Sequence, residues 1–238
     1  MANPLRRLVN FLGSHTGGLL IVVALIAGGA WGFVELMGEV REGDTRSFDQ
    51  AVIEFAMRHE GSAATQSMVR DVTALGGFAV LTLLTAAVCG YLVLSRKYAA
   101  VLLVLAATVG GGLLNTALKH AVGRERPPEE GRLMQEPSFS FPSGHAMLSS
   151  TVYLTLGVLL ARLVPQRAVK LYFISTAILL SVMIGASRVW LRVHWPTDVL
   201  AGWSAGITWA LVCWLATRWL QRRHMVERDT DGDGVPDA

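Results

Sequence analysis

Charge is what this sequence has least of. Only 16% of its 238 residues are charged, against about 25% in an ordinary soluble domain. Hydrophobic residues make up 52%, and the mean hydropathy is +0.44. The deficit argues against a water-soluble globule and for a membrane protein. The formal net charge is +3, and the basic residues are scattered between apolar blocks rather than gathered on one face. That pattern gives nucleic acid nothing to bind. Cysteine is nearly absent. Cys89 and Cys213 both fall inside apolar blocks and read as small buried hydrophobes. Two are too few for a disulfide framework, and no histidine pair stands at zinc-ligand spacing.

Proline is missing from six apolar blocks, at about 18–37, 77–95, 98–118, 145–163, 170–186 and 199–217. Each is bounded by charged or turn residues and approaches the roughly 20 residues that a helix needs to cross a bilayer. Their spacing leaves no room for a separate soluble domain. The predicted fold is therefore all-α: a six-transmembrane-helix bundle over 1–220, followed by an acidic, disordered tail over 221–238. The first block follows Arg6 and Arg7 and invites reading as a signal peptide. Its apolar part runs on through Trp31, Phe33, Leu36 and Met37, longer than a signal core. The short connections "SRKY" and "VPQRAVK" carry positive charge and no acid. By the positive-inside rule, both termini are predicted to be cytoplasmic, the chain to sit in the cell inner membrane, and the remaining connections to lie on the outer, periplasmic face.

Residues 38–76 are too polar to span. Phe48, Val52 and Phe55 recur there at helical spacing, with Asp49, Glu54 and Arg58 between them. This is either an interfacial amphipathic helix between the first two spans or a small packed lid. Both would cover the outer mouth of the bundle.

The chemistry lies in three outside connections. In "KHAVGRERP", Lys119 ends the third block and Arg126 follows seven residues later. A lysine gives a mobile point charge and an arginine a planar fork that fits phosphate oxygens, although basic residues at helix ends also anchor to headgroups. In "FPSGH", Pro142 is suited to the first turn of a helix, Ser143 offers a hydroxyl and Gly144 admits a ligand to the backbone. A helix N-terminus is an anion cradle, and His145 projects beside it. In "SRVWLRVHWPTD", Arg188 is a third cation, and His194 and Asp198 stand four residues apart. Thr197 is a candidate N-cap, Trp190 and Arg192 read as interface anchors, and Asp198 can fix the tautomer of His194 and free its other nitrogen for attack. Three cations, two histidines and one aspartate, with no carboxylate cluster for a divalent metal, suit a phosphate dianion without a metal or other cofactor.

These motifs resemble the phosphatidic acid phosphatase type 2 superfamily. Its pattern of Lys-x6-Arg-Pro, Pro-Ser-Gly-His and Ser-Arg-x5-His-x3-Asp reads here as Lys119 to Arg126-Pro127, Pro142 to His145, and Ser187-Arg188 to His194 to Asp198. The resemblance implies that His194 attacks phosphorus to form a phosphohistidine, with Asp198 orienting it. It implies that His145 protonates the leaving oxygen, while Lys119, Arg126, Ser143, Gly144 and Arg188 hold the phosphoryl oxygens. Soluble vanadium-dependent haloperoxidases carry the same triplet, but the apolar blocks argue against that branch. The implied substrate is a phosphorylated membrane lipid at the bilayer surface: phosphatidate, phosphatidylglycerophosphate or undecaprenyl pyrophosphate. The competing class is a non-catalytic transporter or binder of such lipids, which would not need two histidines flanking one anion cradle. Finally, "DTDGDGVPD" places Asp229, Asp231 and Asp233 as in the front half of a calcium loop, but the chain ends before its twelfth position.

Overall fold

The computed structural model describes residues 15–222. Arg6, Arg7 and the tail with Asp229, Asp231 and Asp233 lie outside the described residues. The six apolar blocks are helices: α1 His15–Glu42, α4 Phe78–Leu94, α5 Tyr98–Val122, α6 Gly144–Arg162, α7 Arg167–Trp190 and α8 Pro196–Arg222. Between α1 and α4 lie two shorter helices, α2 Arg46–Arg58 and α3 Ala63–Ala74. Five helices are long and apolar enough to cross a membrane, and α3 with α4, bent by 41° at their junction, forms a sixth if taken as one span. Large apolar side chains such as Phe78, Leu83, Leu94 and Leu171 are exposed on the outside of the bundle, as lipid-facing surface requires. The chain is a multi-pass membrane protein.

Helix α6 sits at the centre, packed on α7 and α8, and α1 packs on α8 from the other side. Its contact with α8 is close because two glycines allow it. A Cβ on Gly202 would lie 2.7 Å from the Ser143 carbonyl oxygen, and one on Gly206 would lie 2.4 Å from that of Met147. Small residues let helix backbones approach where lipid supplies no hydrophobic drive, and here Thr151 Oγ1 donates across the gap to the Gly206 carbonyl at 3.0 Å. The approach sets the N-terminus of α6 against that of α8: the Ser143 amide donates to the Asp198 carbonyl at 2.9 Å. Helix α5 carries a π-helical turn at Ala106–Gly110. The Trp209 indole of α8 donates to the carbonyls of Ala106 and Ala107, each at 3.2 Å.

Helix α2 is the amphipathic helix expected between the first two spans, but one of its charged residues is buried. The buried residues are Asp49, Ile53 and Ala56, while Phe48 and Phe55 are 50% and 56% exposed. The helix turns a carboxylate inward and its aromatic stripe outward, because Asp49 has partners in two other segments. The junction between α3 and α4 is pinned as well. Tyr153 Oη donates to the Leu75 carbonyl at 2.8 Å, and Gly76 fits between Ile184 and His145, where a Cβ would lie 2.4 Å from the Ile184 side chain.

Candidate active site

The C-terminal ends of α5 and α7 and the N-terminal ends of α6 and α8 lie at one end of the bundle. There the structure brings the three motif segments together. Helix α5 stops because Gly123 takes the left-handed conformation, φ +64°, with its amide on the Lys119 carbonyl. This is a common helix stop, and it turns Arg124 and Arg126 back toward the bundle. Helix α6 begins at Gly144 with Ser143 as its N-cap, the hydroxyl accepting from the Ala146 amide at 3.4 Å. Pro142 thus precedes the helix and does not occupy its first turn. Gly144 keeps this end open toward α5: a Cβ there would meet Asn115 Oδ1 at 3.1 Å and Lys119 Cε at 3.9 Å.

Helix α8 starts at Pro196, a position that suits proline, so Thr197 lies within the first turn and is not the N-cap. Asp198 reaches back instead. Its Oδ2 accepts from the Trp195 amide at 2.9 Å, in the manner of a capping-box acid. The same oxygen accepts from the Ser140 hydroxyl and lies 3.3 Å from His194 Nδ1. Its other oxygen accepts from Arg124 at 2.6 Å. Asp198 is fully buried and His194 is 1% exposed.

The imidazole is flanked on both sides. Arg126 Nη1 lies 3.1 Å from His194 Nε2. A guanidinium can only donate, so Nε2 is the acceptor and Nδ1 carries the proton, directed at Asp198. Burial first, and then the charges of Arg126, Arg188 and Lys119, push the His194 pKa well below the ordinary 6.5. The ring is therefore neutral, with its lone pair at Nε2. Burial also lowers Arg126, to about 10, which leaves it protonated at neutral pH.

Lys119, Arg126, Arg188, Ser143, Gly144, His145, His194 and Asp198 all meet at this end. The cations are not idle. Arg188, with no exposed side-chain surface, donates to Glu136 Oε1 at 2.5 Å and to Thr73 Oγ1 at 3.2 Å. Arg126 Nη2 stands 3.9 Å from Glu136 Oε2, and its Nε donates to the Ser138 carbonyl at 2.7 Å. Lys119 donates to the Phe139 carbonyl. Burial raises the Glu136 pKa, but the Arg188 ion pair outweighs it and holds the carboxyl below the usual carboxylate range. An anionic side chain thus sits in the fork expected to take phosphate. Glu136, Ser138 and Phe139 also line a cavity of about 1180 Å³ that opens at this end beside Lys119, Arg124 and Arg126. Arg188 Nε is buried with no hydrogen-bond partner among the described residues. No group of three metal-ligating side chains occurs among the described residues.

Sequence reading missed Arg124, Glu136, Ser140 and Asp49. Arg124 and Ser140 each stand two residues from a motif position, Arg126 and Pro142, so proximity alone was a signal for them. Arg192, read as an interface anchor, is instead 5% exposed and paired with Glu60 at 3.0 Å.

A family model described as the PAP2 superfamily matches residues 97–222. Phosphatidylglycerophosphatase B of Bacillus subtilis strain 168 is 32% identical over 177 residues, which is 74% of this chain and 86% of that protein. An undecaprenyl-diphosphatase of Sulfolobus acidocaldarius is 43% identical over 68 residues, 29% of each. The crystal structure of a transmembrane PAP2 type phosphatidylglycerolphosphate phosphatase from Bacillus subtilis superposes with a TM-score of 0.77 at 29% identity. The match covers 83% of this chain and 98% of that one.

Proposed function

The chain belongs to the PAP2 superfamily and is a membrane lipid phosphatase, and on that premise we propose that His194 is its nucleophile, His145 its general acid and base, and phosphatidylglycerophosphate its first-choice substrate. The observation that carries the assignment is the pair of distances at His194: Nδ1 is 3.3 Å from Asp198, and Nε2 is 3.1 Å from Arg126. The lone pair faces a cation that a phosphoryl oxygen can take over.

In the reaction, Nε2 attacks phosphorus as the P–O bond to the lipid breaks, and His145 gives its proton to the leaving oxygen. Water then attacks the phosphohistidine, His145 takes its proton, the P–N bond breaks and inorganic phosphate leaves. Two steps replace one difficult displacement. Lys119, Arg126, Arg188 and the Ser143–Gly144 end of α6 hold the equatorial oxygens, and Arg188 Nε is a spare donor for one of them. Fixed positive charge of this kind stabilises phosphoryl transfer. The site face is outer and periplasmic, in the cell inner membrane with both termini cytoplasmic. The charge-bearing, acid-free connections at the opposite end support that orientation. Among candidate substrates, phosphatidylglycerophosphate is favoured because the relative bearing that name aligns over most of both chains. A panel of phosphatidylglycerophosphate, phosphatidate and undecaprenyl pyrophosphate in detergent tests this, with the first expected to give the highest kcat/KM. A clear preference for either of the others overturns the choice.

Two further outcomes follow from the geometry. The neutral His194 ring is lost only as pH falls through its depressed pKa. Nitrogen NMR of labelled protein should therefore show it neutral, with the proton on Nδ1, at about pH 6, where a free histidine is mostly protonated. A protonated ring at that pH would contradict the tautomer argument. Glu136→Gln removes the anion that competes for Arg188. The inhibition constant of inorganic phosphate should then fall by about tenfold, in line with the worth of a charged hydrogen bond. An unchanged constant would mean that Glu136 leaves the fork at no cost.

A further inference from the structure

Two buried carboxylates share one guanidinium beside the site. Arg124 Nη1 donates to Asp198 Oδ1 at 2.6 Å and to Thr197 Oγ1 at 2.8 Å, while its Nη2 donates to Asp49 Oδ2 at 2.6 Å. Asp49 is 1% exposed. It also accepts from the Thr197 amide at 3.1 Å and from the Thr197 hydroxyl at 2.7 Å. The two carboxylates come from α2 and α8, and the cation from the loop after α5. Each buried acid needs that cation, since an unpaired charge in such a place is strongly unfavourable.

We propose that Arg124 is a positioning residue for the phosphatase reaction: it holds Asp198 in the orientation that accepts from His194 Nδ1, and Asp49 holds Arg124 in place, so that the extramembrane helix α2 is part of the catalytic machinery and not merely its cover. The inference rests on His194 being the nucleophile. A carboxylate bound on one oxygen by Arg124 and on the other by Ser140, Trp195 and His194 has no freedom to rotate. With Arg124 removed, Oδ1 loses its anchor. The imidazolium form also becomes easier to reach, because the Asp198 charge that faces Nδ1 is no longer neutralised by Arg124. The charged groups around the pair are Arg124 and Arg126 from the loop after α5, Lys119 on α5, His145 on α6, Arg188 on α7 and Asp49 on α2.

The test uses full-length protein in detergent with phosphatidylglycerophosphate. Arg124→Gln should lower kcat by about a hundredfold, the scale of a reacting group displaced by an ångström, with KM changed by less than about threefold. The acid limb of kcat/KM should move to higher pH, because His194 protonates more readily. Arg124→Lys should restore part of kcat and move the limb back. Because Arg124→Gln strands two carboxylates, the double variant Asp49→Asn/Arg124→Gln provides a form without that repulsion, and it should keep the same kcat loss and the same shifted limb. Asp49→Asn alone should lower kcat by about tenfold. A merely structural role would reduce the folded fraction and leave the pH profile in place; that outcome, or wild-type kcat in the double variant, overturns the proposal. His194→Ala run alongside separates the two failures. If that variant is active, the nucleophile assignment has failed. If it is dead while the Arg124 variants are normal, only the positioning role has.

Discussion

Phosphate release from phosphatidylglycerophosphate, measured in detergent with EDTA present, should fall by about 10⁴-fold or more in His194→Ala, the usual cost of losing a nucleophile whose partners remain. The size follows from what is left behind. Lys119, Arg126 and Arg188 would still bind the phosphoryl group, so KM should change little and the loss should appear in kcat. No neighbour can substitute. Asp198 stays tied by three donors, Arg124, Ser140 and the Trp195 amide, and Ser140 donates its proton to that aspartate. Rapid quenching of the wild type with radiolabelled substrate should trap a phosphoenzyme that is stable in alkali and labile in acid, as a phosphoramidate is, and His194→Ala should trap none. Label retained in the alanine variant, or turnover within tenfold of wild type, would place the covalent step elsewhere. The result also separates catalysis from binding, because a lipid binder with the same cations would be indifferent to the change.

The amount of this arrangement legible in the sequence varies with how local its causes are. The six apolar blocks were legible as helices because length and apolarity are properties of a segment by itself, and each proline-free block became a helix or the main part of one. The end of α5 was legible in hindsight from Gly123, but the π-helical turn at Ala106–Gly110 was not. It coincides with the indole of Trp209 on another helix, which packs against Gly110, and nothing in the five residues by themselves marks it. The motif residues were legible as a group because their types and spacing form a pattern within each loop, and the structure brings the three loops to one end of the bundle. Asp49 was not. A charge on an otherwise amphipathic helix reads as solvent-facing, and only partners 75 and 148 residues away make burial tolerable. Glu136 was missed for a related reason. An acid near a phosphate site looks like an error in the pattern until Arg188 is seen holding it, and its position suggests that the cations stay paired until a better anion arrives.

Asp198→Asn should be nearly as damaging as loss of the nucleophile, although it removes no atom from the reacting centre. The reason is a count of donors. Arg124 presents N–H to Oδ1, while the Ser140 hydroxyl, the Trp195 amide and His194 Nδ1–H present donors to Oδ2. A carboxylate accepts on both sides, but an asparagine has one acceptor and one donor end. If its oxygen faces Arg124, its NH₂ meets Ser140, Trp195 and His194. The ring must then accept at Nδ1 and carry its proton on Nε2, the atom that has to attack phosphorus. If the side chain is flipped, the NH₂ opposes the guanidinium, and that cation is left without its buried anion. The first arrangement costs less, so the variant should fold with the wrong tautomer. The fall in kcat should be about 10³- to 10⁴-fold, as in hydrolases whose histidine loses its orienting acid, with KM within a few-fold of wild type. Nitrogen NMR of His194 would show the proton moved from Nδ1 to Nε2. If Asp198→Asn retains both the Nδ1–H tautomer and its turnover, the carboxylate is structural only, and the tautomer must be set by Arg126 alone.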